Sequence, residues 1–369
     1  MDDVSRYYES QDLGLGTHFA LRWKGRVRYT VPRELVGQRA CWRVFKPGKL
    51  GIPLRGMACF SRLLGMSGCV ESNKLESIRA AIGHSTGFSC CRAGAEGVWS
   101  KDTILLMDES NTEPLYIAKA GAGEAVNKLL CNEADWLRTL RNHVSLSDHV
   151  PELIAHRSDN DQCFVVQRVL GGELKFGLEE SHFLFMRRLQ SLSNQPIFYQ
   201  DSRLYRTMNA RVSDLSGELP MDWLNRLTAG LRRIEQALSG ARILLAPAHN
   251  DFTLWNVRLD HGVARVFDWE YADHEQLPLF DPLHFSLVPL ALNRDPLRKI
   301  LTRIGDTLRM CRQWLGEERC YEAETQVLAY LVNLCTLYLW ADRGKRNTHP
   351  TLVTYSQIID HMSQKTGKY

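Results

Sequence analysis

The sequence predicts an α+β protein in which a small β-rich half precedes a larger, mostly helical half. Between about residues 85 and 170, short apolar runs bounded by turn residues are typical of strands. Beyond residue 172, apolar residues recur at intervals of three and four, which is the period of amphipathic helices. The 369 residues, 44% of them hydrophobic, have ordinary globular composition. We predict a basic, β-containing N-terminal extension over 1–84, a β-rich half over 85–170 and a helical half over 171–369.

Basic residues dominate the segment from Ala20 to Gly56, which contains ten lysines and arginines against one acid, Glu34. Phe19 to Val31 alternates apolar and charged residues, which predicts a strand with one solvated face. The favoured interpretation places the basic side chains on the wet face of a strand pair. The alternative is peripheral contact of residues 20–56 with an anionic membrane or a lipid-linked substrate. The basic residues are Arg22, Lys24, Arg26, Arg28, Arg33, Arg39, Arg43, Lys46, Lys49 and Arg55.

Charge, cysteines and hydropathy argue against several classes of protein. A net charge of +4 is too small to indicate nucleic acid as the main partner. The ten cysteines include no C-x-x-C pair, so we expect free thiols and a cytoplasmic protein rather than a zinc site or disulfides. The N-terminus lacks the basic start and apolar run of a signal peptide. The most apolar stretch, Val327 to Trp340, is shorter than the ~20 residues that cross a bilayer.

The β-rich half contains a predicted hairpin, a helix and a further strand. Thr103–Met107 and Leu115–Lys119 are apolar runs on either side of a cluster of turn residues, which indicates a hairpin. Apolar residues from Glu124 to Leu140 have helical spacing. Cys163–Gln167 is a further predicted strand, which ends before Gly171 and Gly172. We expect the vicinal pair Cys90-Cys91 to lie in a strand as well.

The helical half contains three well-marked helices. Leucine and isoleucine recur from Leu224 to Leu238, with Gly240 placed to end the helix. Asp295 followed by Pro296 predicts an N-cap and first helical position, in a helix that runs towards Gly316. Tyr321 to Trp340 is apolar on nearly all sides, which predicts a buried helix.

One β-like island, Ala246 to Tyr271, interrupts the helices and carries a His-x-Asp-x-x-x-x-Asn sequence ending at Asn256. A short hairpin with its turn at Asp260-His-Gly262 follows, and then Asp268. This order is typical of kinase catalytic loops. Phosphoryl transfer needs a carboxylate beside the attacking hydroxyl and a divalent metal ion on the phosphates. Asp251 supplies the first, while Asn256 and Asp268 are expected to bind the metal ion.

The residues upstream of the island suit the same chemistry. Lys119 ends an apolar strand, where it can bind the α- and β-phosphates of a nucleotide, and Glu133 on the next helix can hold that lysine in place. Glu124 is the alternative partner. Gly94 and Gly97 precede the hairpin in a turn suited to covering phosphates, and Gln167 to Leu170 precede a predicted hinge.

These residues, from about 85 to 340, make the sequence similar to the aminoglycoside phosphotransferase and choline kinase-like group. The resemblance is strongest in His249-Asn-Asp-Phe-Thr-Leu-Trp-Asn256 and Phe267-Asp-Trp-Glu270. It departs from that group at Asn250, where glycine is usual, and at Leu254, where proline is common. It implies a two-lobed protein-kinase-like fold with a small β-rich N-lobe for the nucleotide and a helical C-lobe for catalysis.

The resemblance also implies the role of each site residue, with ATP and Mg²⁺ as cofactors. Asp251 would be the catalytic base, with Asn256 and Asp268 as metal ligands. Lys119 and Glu133 would anchor ATP beneath the turn of Gly94 and Gly97, and the adenine would lie against the strand that includes Gln167 and Val169. His249 and Asp281 would support the catalytic loop. Glu270 has two open interpretations, a metal or acceptor contact and a solvated acid.

We therefore expect an ATP- and Mg²⁺-dependent kinase for a hydroxyl of a small molecule or saccharide. The stretch from Glu317 to Tyr369 has six acids and six basic residues, which favours a neutral or anionic acceptor over a polycationic antibiotic. The motifs are also similar to members of the group associated with bacterial surface-polysaccharide synthesis, which suggests a glycan acceptor. The alternatives are a catalytically inactive binding module, an antibiotic-modifying aminoglycoside phosphotransferase and a basic adaptor that binds through residues 20–56.

Overall fold

The computed structural model describes residues 18–23, 26–44, 68–69, 73–83, 85–87, 89–94, 97–110, 112–159, 161–193, 196–345 and 347–365. The chain divides into two compact units. The first comprises residues 1–141 and 151–170, and the second comprises residues 142–150 and 171–369. Some residues singled out in the sequence lie outside the described ranges, namely Lys24, Lys46, Lys49, Arg55 and the Ala95–Glu96 part of the glycine-rich turn.

The first unit is built on an eight-stranded sheet in the order β3-β1-β2-β4-β5-β6-β8-β7. Each strand pairs antiparallel with its neighbours. The strands are β1 (His18–Trp23), β2 (Arg26–Pro32), β3 (Gly68–Cys69), β4 (Ser89–Arg92), β5 (Asp102–Met107), β6 (Pro114–Gly121), β7 (Leu153–Arg157) and β8 (Cys163–Arg168).

The predicted hairpin over 103–119 is confirmed as β5 and β6, which pair directly. Asp108 closes its turn, because Oδ1 accepts hydrogen bonds from the N–H groups of Thr112 at 2.9 Å and Glu113 at 3.1 Å. The strand predicted over 163–167 is confirmed as β8, which lies between β6 and β7. The vicinal cysteines Cys90 and Cys91 lie in β4, as expected.

The N-terminal strands belong to this same sheet. β1 and β2 form an antiparallel pair, and Tyr29 on β2 is the register partner of Arg92 on β4. The predicted alternation holds in β1, where Ala20 is half-buried between two buried residues, but not in β2, where Thr30, Val31 and Pro32 are all buried. Phe19, Leu21 and Val31 are buried. They pack against the first helix, which runs from Leu35 to Val44 and is named α1. Residues 18–32 thus extend the sheet beyond β4.

Two further helices complete the first unit. α2 (Asn73–Ile82) packs Leu75 and Ile78 on the β-sheet residues Ile104 and Leu106. α3 (Glu124–Arg141) confirms the helix predicted from Glu124 to Leu140. Its buried residues recur at three- and four-residue intervals, which is the helical period. They include Val126, Leu130, Glu133, Ala134, Leu137 and Leu140.

The second unit is mostly helical, and α9 lies near its centre. α9 is buried along most of its length, in agreement with the predicted buried helix, although it begins at Ala323 rather than Tyr321. It contacts α5, α6, α7 and α10. The helices are α4 (Glu180–Gln190), α5 (Arg203–Asp214), α6 (Met221–Leu238), α7 (Phe280–Leu292), α8 (Leu297–Leu315), α9 (Ala323–Ala341) and α10 (Pro350–Lys365).

The start of α8 differs by one residue from the prediction. Pro296 takes the N-cap position with extended backbone, and its carbonyl accepts from the Lys299 N–H at 2.9 Å. Asp295 therefore lies outside the helix, and its Oδ1 accepts from Lys299 Nζ at 3.0 Å instead of capping a backbone group. The predicted ends are confirmed, since Gly316 directly follows α8 and Gly240 follows α6 after Ser239, with positive φ values of 96° and 68°.

Three short strand pairs complete the second unit. β9 (Pro196–Phe198) pairs with β10 (Arg242–Leu244), β11 (Ala246–Ala248) with β14 (Asp273–Gln276), and β12 (Val257–Asp260) with β13 (Val263–Val266). Eight cysteines are free thiols, namely Cys41, Cys90, Cys91, Cys131, Cys163, Cys311, Cys320 and Cys335. None of the helices described is both long and apolar enough to span a membrane.

Candidate active site

In the first unit, Lys119 and Glu133 form a buried ion pair. Lys119 lies on β6, which is fixed on both sides by pairing with β5 and β8. Glu133 lies on the buried face of α3. Lys119 Nζ donates to the two carboxylate oxygens of Glu133 at 2.7 and 2.8 Å, and the side chains are 9% and 0% exposed. The structure thus selects Glu133, not Glu124, as the partner, since Glu124 pairs with Lys128 on the surface.

The predicted glycines lie in one tight turn between β4 and β5. Gly94 N–H donates to Asp102 Oδ1 at 3.2 Å, and a Cβ atom at Gly94 would collide with the backbone of Lys101. Gly97 has a φ of +141°, which disfavours other residues. Its carbonyl accepts from the Ser100 N–H at 3.0 Å. The close approach explains Gly94 and the positive φ explains Gly97, whereas phosphate binding by this turn stays a prediction.

Gln167 and Val169 lie at the end of β8. The Gln167 side chain is buried, and its Oε1 atom has no hydrogen-bond partner among the residues described. The Val169 N–H donates to the Leu115 carbonyl at 3.1 Å, which fixes the chain just past the strand. A buried acceptor of this kind is costly unless a ligand or water satisfies it. Contact of these residues with a nucleotide stays a prediction.

In the second unit, the β12–β13 hairpin brings Asn256 and Asp268 to its open end. Two residues connect the strands, and both have positive φ, 48° at His261 and 80° at Gly262. Such a turn matches the natural twist of paired strands. Val257 is the register partner of Val266, and Phe267 N–H donates to the Asn256 carbonyl at 3.1 Å. The stretch of sequence between Asn256 and Asp268 therefore forms one closed hairpin.

His249 and Asp281 support the loop before the hairpin. Both side chains are buried, and the Asp281 carboxylate accepts from the N–H groups of His249 at 2.8 Å and Asn250 at 2.9 Å. Burial raises the pKa of Asp281, and the adjacent His249 and these N–H groups oppose that rise. Burial lowers the pKa of His249. A neutral His249 satisfies both its contacts, because Nε2–H donates to the Phe267 carbonyl at 3.1 Å and Nδ1 accepts from the Asp251 N–H at 3.2 Å.

Asp251 is held by an amide and an imidazole and keeps part of its surface exposed. Its Oδ2 accepts from Asn256 Nδ2 at 2.7 Å, and its Oδ1 lies 3.2 Å from His284 Nε2. The side chain is 27% exposed. A carboxylate that is oriented on two sides and open on a third can receive a proton from a bound molecule.

Asn256, Asp268 and Glu270 offer oxygen ligands of the kind that Mg²⁺ prefers. Asn256 Nδ2 donates to the Asp251 carbonyl at 3.0 Å as well as to its carboxylate, so both contacts use the amide nitrogen and neither uses the Asn256 Oδ1 atom. Carboxylate oxygens of Asp268 and Glu270 lie within 4.8 Å of each other. Hard divalent cations bind amide and carboxylate oxygens. This donor set fits Mg²⁺, and it gives Glu270, which is buried, a place beside the predicted ligand Asp268.

Two residues of this loop have left-handed backbone that favours glycine. Asn250 has a φ of 62° and Asp268 a φ of 74°. Asparagine and aspartate are the non-glycine residues that tolerate this region best. Asn250 Nδ2 also donates to the Tyr271 carbonyl at 3.0 Å. The departure at Asn250 from the usual glycine thus keeps the loop conformation and adds a hydrogen bond.

Solved structures of aminoglycoside phosphotransferases share the architecture of this chain. A thermostable mutant of aminoglycoside phosphotransferase APH(4)-Ia, in ternary complex with AMP-PNP and hygromycin B, matches with a TM-score of 0.54 and 13% identity, over 80% of this chain and 99% of that chain. The streptomycin-ATP-APH(2")-IIa ternary complex matches with a TM-score of 0.50 and 15% identity, over 79% and 96%. Neither a protein-family model nor a curated protein matches the sequence.

The chain has the aminoglycoside phosphotransferase fold. The predicted fold class is confirmed, with an antiparallel β-rich part followed by a mostly helical part, as in those aminoglycoside phosphotransferase structures. At identities of 13% and 15%, the structural matches establish the fold, and the chemistry has to be argued from the residues of this chain.

His284 is a site residue that the sequence reasoning missed. Besides its contact with Asp251, its Nδ1 lies 3.2 Å from the Tyr330 hydroxyl, which in turn lies 3.0 Å from the Tyr355 hydroxyl. Burial raises the pKa values of Tyr330 and Tyr355 well above the usual range, so both phenols stay protonated. The signal was present, because Asp281 and His284 are three residues apart on one helix and share a face.

Proposed function

We propose that this protein is an ATP- and Mg²⁺-dependent kinase that phosphorylates a hydroxyl group of a small-molecule acceptor. The observation that carries the proposal is the setting of Asp251. Its carboxylate is partly exposed, is oriented by His284 and Asn256, and shares a loop with an oxygen donor set that fits Mg²⁺. A carboxylate that served only to cap a turn would have no need of these partners.

In this mechanism, Asp251 accepts the proton of the acceptor hydroxyl. The hydroxyl oxygen forms a bond to the γ-phosphorus of ATP, and the bond from that phosphorus to the β–γ bridging oxygen breaks, which releases ADP. The contacts with Asn256 and His284 fix the direction in which Asp251 faces the hydroxyl. Asn256, Asp268 and Glu270 would hold Mg²⁺, which when bound neutralises charge on the phosphates.

We assign nucleotide binding to residues 85–170 and catalysis to residues 171–369. Lys119 would contact the α- and β-phosphates, with its ammonium held in place by Glu133. The turn of Gly94 and Gly97 would cover the phosphates with backbone N–H groups. The adenine would lie against the end of β8, where Gln167 offers a buried oxygen without a partner in the described structure.

The free thiols support placement of the protein in the reducing cytoplasm. Contact of residues 20–56 with an anionic membrane or lipid-linked substrate has less support. The described strands that reach into this range, β1 and β2, bury Phe19, Leu21 and Val31 in the sheet core. The Arg33 guanidinium lies 4.8 Å from the ring centre of buried Phe19. These observations favour the simpler interpretation, in which the basic residues flank a strand pair.

Two kinds of kinase are candidates, and they differ in the acceptor that they phosphorylate. The structural neighbours are bound to hygromycin B and streptomycin, which favours an aminoglycoside acceptor as the second candidate. The balanced charge of residues 317–369 favours a neutral or anionic sugar or glycan. A catalytically inactive binding module is disfavoured, because each position expected to handle phosphate or metal keeps its functional group.

The proposal is tested by incubating the full chain with Mg²⁺, γ-phosphate-labelled ATP and a panel of neutral, anionic and cationic sugars, including hygromycin B. We expect labelled acceptor and ADP to form together, and neither to form when Mg²⁺ is omitted. Binding of ATP without transfer to any acceptor would instead support the inactive binding module. Transfer to hygromycin B alone would support the antibiotic-modifying candidate.

A further inference from the structure

The second unit contains a cavity of about 90 Å³ beside the Asp251 loop. Helices α5, α7 and α9 line it, together with residues on either side of the β12–β13 hairpin. His284, which contacts Asp251 Oδ1 at 3.2 Å, and Asn250, the residue before Asp251, are both part of its wall. A molecule that occupies the cavity therefore lies next to the proposed catalytic carboxylate.

Arg211 on α5 brings a positive charge to this wall, and it is the one lysine or arginine among the described lining residues. Its Nη1 donates to the Asn333 side-chain oxygen at 3.2 Å. Arg211 forms no ion pair with a carboxylate in the described part of the chain. Asp273 also lines the cavity, but its Oδ2 is bound by Arg203 at 3.0 Å and its Oδ1 accepts from the Glu275 N–H at 3.0 Å.

The surroundings of Arg211 make this charge costly unless an anion is present. Burial lowers the pKa of Arg211 to about 10, with the positive charge of Arg203 acting in the same direction and Asp273 opposing it. The guanidinium still carries its proton at neutral pH. An amide oxygen compensates a desolvated cation less well than a carboxylate or phosphate, which Arg binds with two parallel hydrogen bonds.

Gln276 contributes a second unsatisfied group. Its side chain is 6% exposed and lines the cavity. Its Oε1 atom is buried and has no hydrogen-bond partner within the described residues. An orphaned buried acceptor of this kind is matched by a ligand hydroxyl or amine, or by a water molecule. The cavity therefore offers one site for an anion and one for a hydrogen-bond donor.

Resting on the proposed kinase function, we propose that the cavity binds a hydroxylated acceptor that carries a carboxylate or phosphate, and that Arg211 selects this anionic group. Arg211 binds the anion, Gln276 accepts a hydrogen bond from another hydroxyl, and a further hydroxyl faces Asp251. A polycationic aminoglycoside is disfavoured at this position, because it would place like charge against Arg211.

Direct binding tests this inference without any turnover. Dissociation constants are measured by isothermal titration calorimetry for D-glucuronate, glucose 1-phosphate, glucose and glucosamine, without nucleotide. We expect the better of the two anionic sugars to bind at least about tenfold more tightly than glucose, since a charge-assisted hydrogen bond contributes about 1.5–3 kcal/mol. The comparison of glucuronate with glucose 1-phosphate distinguishes a carboxylate from a phosphate.

Three variants connect the preference to Arg211. Arg211→Gln should bring the anionic sugars to within about threefold of glucose, because the charged partner is lost. Arg211→Lys keeps the charge and should retain part of the preference. Arg232→Gln is the matched control, since Arg232 is exposed on α6, and it should bind like the wild type. Thermal unfolding of each variant shows that the compared proteins are folded.

The inference is overturned if glucose or glucosamine binds as tightly as both anionic sugars, if no sugar binds at millimolar concentration, or if folded Arg211→Gln keeps the preference. Failure of the proposed function is seen separately, by titration of Mg·ATP. Wild type and Arg211→Gln should bind Mg·ATP equally. A protein that binds anionic sugars through Arg211 but not Mg·ATP would contradict the kinase proposal and leave the cavity assignment standing.

Discussion

Each unit holds a desolvated cation, and the two are held in opposite ways, with Lys119 buried and Arg211 half-buried. In the first unit, Lys119 has the two oxygens of the Glu133 carboxylate at 2.7 and 2.8 Å. In the second, Arg211 has an amide oxygen of Asn333 at 3.2 Å and no paired carboxylate within the residues described. A cation that is neutralised inside the protein keeps its position with or without a ligand. A cation that is hydrogen-bonded only to a neutral group keeps its full charge available for binding an anionic ligand.

The same comparison extends to the carboxylates. Glu133 is fully buried and neutralised, whereas Asp251 is partly exposed and is oriented by an amide and an imidazole. We therefore expect substitutions in the Lys119–Glu133 pair to lower stability as well as nucleotide binding. Substitution of Asp251 should affect turnover and leave stability almost unchanged.

The largest expected effect is on turnover in Asp251→Asn. The amide preserves the shape of the side chain but cannot accept the hydroxyl proton, so kcat should fall by about 10²- to 10⁴-fold. Mg·ATP binding and the melting temperature should stay close to those of the wild type. Steady-state phosphoryl transfer measures kcat, and thermal unfolding with and without Mg·ATP measures nucleotide binding and the melting temperature. Asp161→Asn, at an exposed position, is the control, and near-normal turnover in Asp251→Asn would refute the assignment.

A large loss of stability is expected in Glu133→Gln. It leaves Lys119 charged and buried without its carboxylate, which costs about 3–5 kcal/mol of unfolding free energy. The double variant Lys119→Met/Glu133→Leu should regain much of that loss and still fail to bind Mg·ATP. Urea unfolding followed by circular dichroism measures these differences. A loss in Glu133→Gln below about 1 kcal/mol, the size of a surface pair, would contradict the account of a buried pair.

A smaller effect is expected from His182, a buried group that serves structure alone. It lies near the N-terminus of α4, its Nδ1 accepts from the Glu179 N–H at 2.9 Å, and its ring lies near Phe285. Burial lowers the pKa of His182 to about 4. Below pH ~6.5 the unfolded chain binds a proton here that the folded chain does not, so stability is lost as the pH falls towards about 4.

Because of His182, the unfolding free energy should be about 2 kcal/mol lower at pH 5 than at pH 8. His182→Gln keeps a capping side chain and should reduce that pH dependence, which urea unfolding at the two pH values measures. Some dependence will remain, because burial also lowers the pKa values of His149 and His249. An unchanged pH dependence in His182→Gln would show that His182 is not the buried neutral group described.

The smallest effect separates the backbone conformation of Asn250 from its side-chain hydrogen bond. Asn250→Ala places an alanine at a φ of 62° and removes the hydrogen bond to the Tyr271 carbonyl, so we expect a loss of about 1–2 kcal/mol. Asn250→Gly relieves the backbone and should lose under about 1 kcal/mol. Chemical denaturation of both variants gives the comparison. A glycine variant less stable than the alanine variant would contradict the left-handed assignment.

Local patterns were sufficient to predict much of the fold and part of the site. The apolar period of residues 124–140 predicts α3, and the two-residue turn at His261-Gly262 predicts the β12–β13 hairpin, because both depend on neighbouring residues. Asn256 and Asp268 lie near each other for the same local reason, because they flank the paired ends of one closed hairpin.

Features that depend on distant parts of the chain could not be predicted. Pro196–Phe198 pairs with Arg242–Leu244 across more than forty mostly helical residues, and neither run has strand-like length. The contact of His284 with Asp251 and the place of Arg211 on the cavity wall arise from packing of helices that no local period specifies. The error at Asp295 has another origin, because its carboxylate binds the Lys299 side chain in preference to the helix N-terminus.

We propose that this fold binds Mg·ATP through Asp268. The most direct measurement is the melting temperature of wild type and Asp268→Ala, each with and without Mg·ATP. At 100 times its dissociation constant a ligand stabilises by about 2.7 kcal/mol, which raises the melting temperature of a protein of this size by a few degrees. We predict that rise in the wild type and its loss in Asp268→Ala. No rise in the wild type, or an equal rise in both proteins, would contradict the claim.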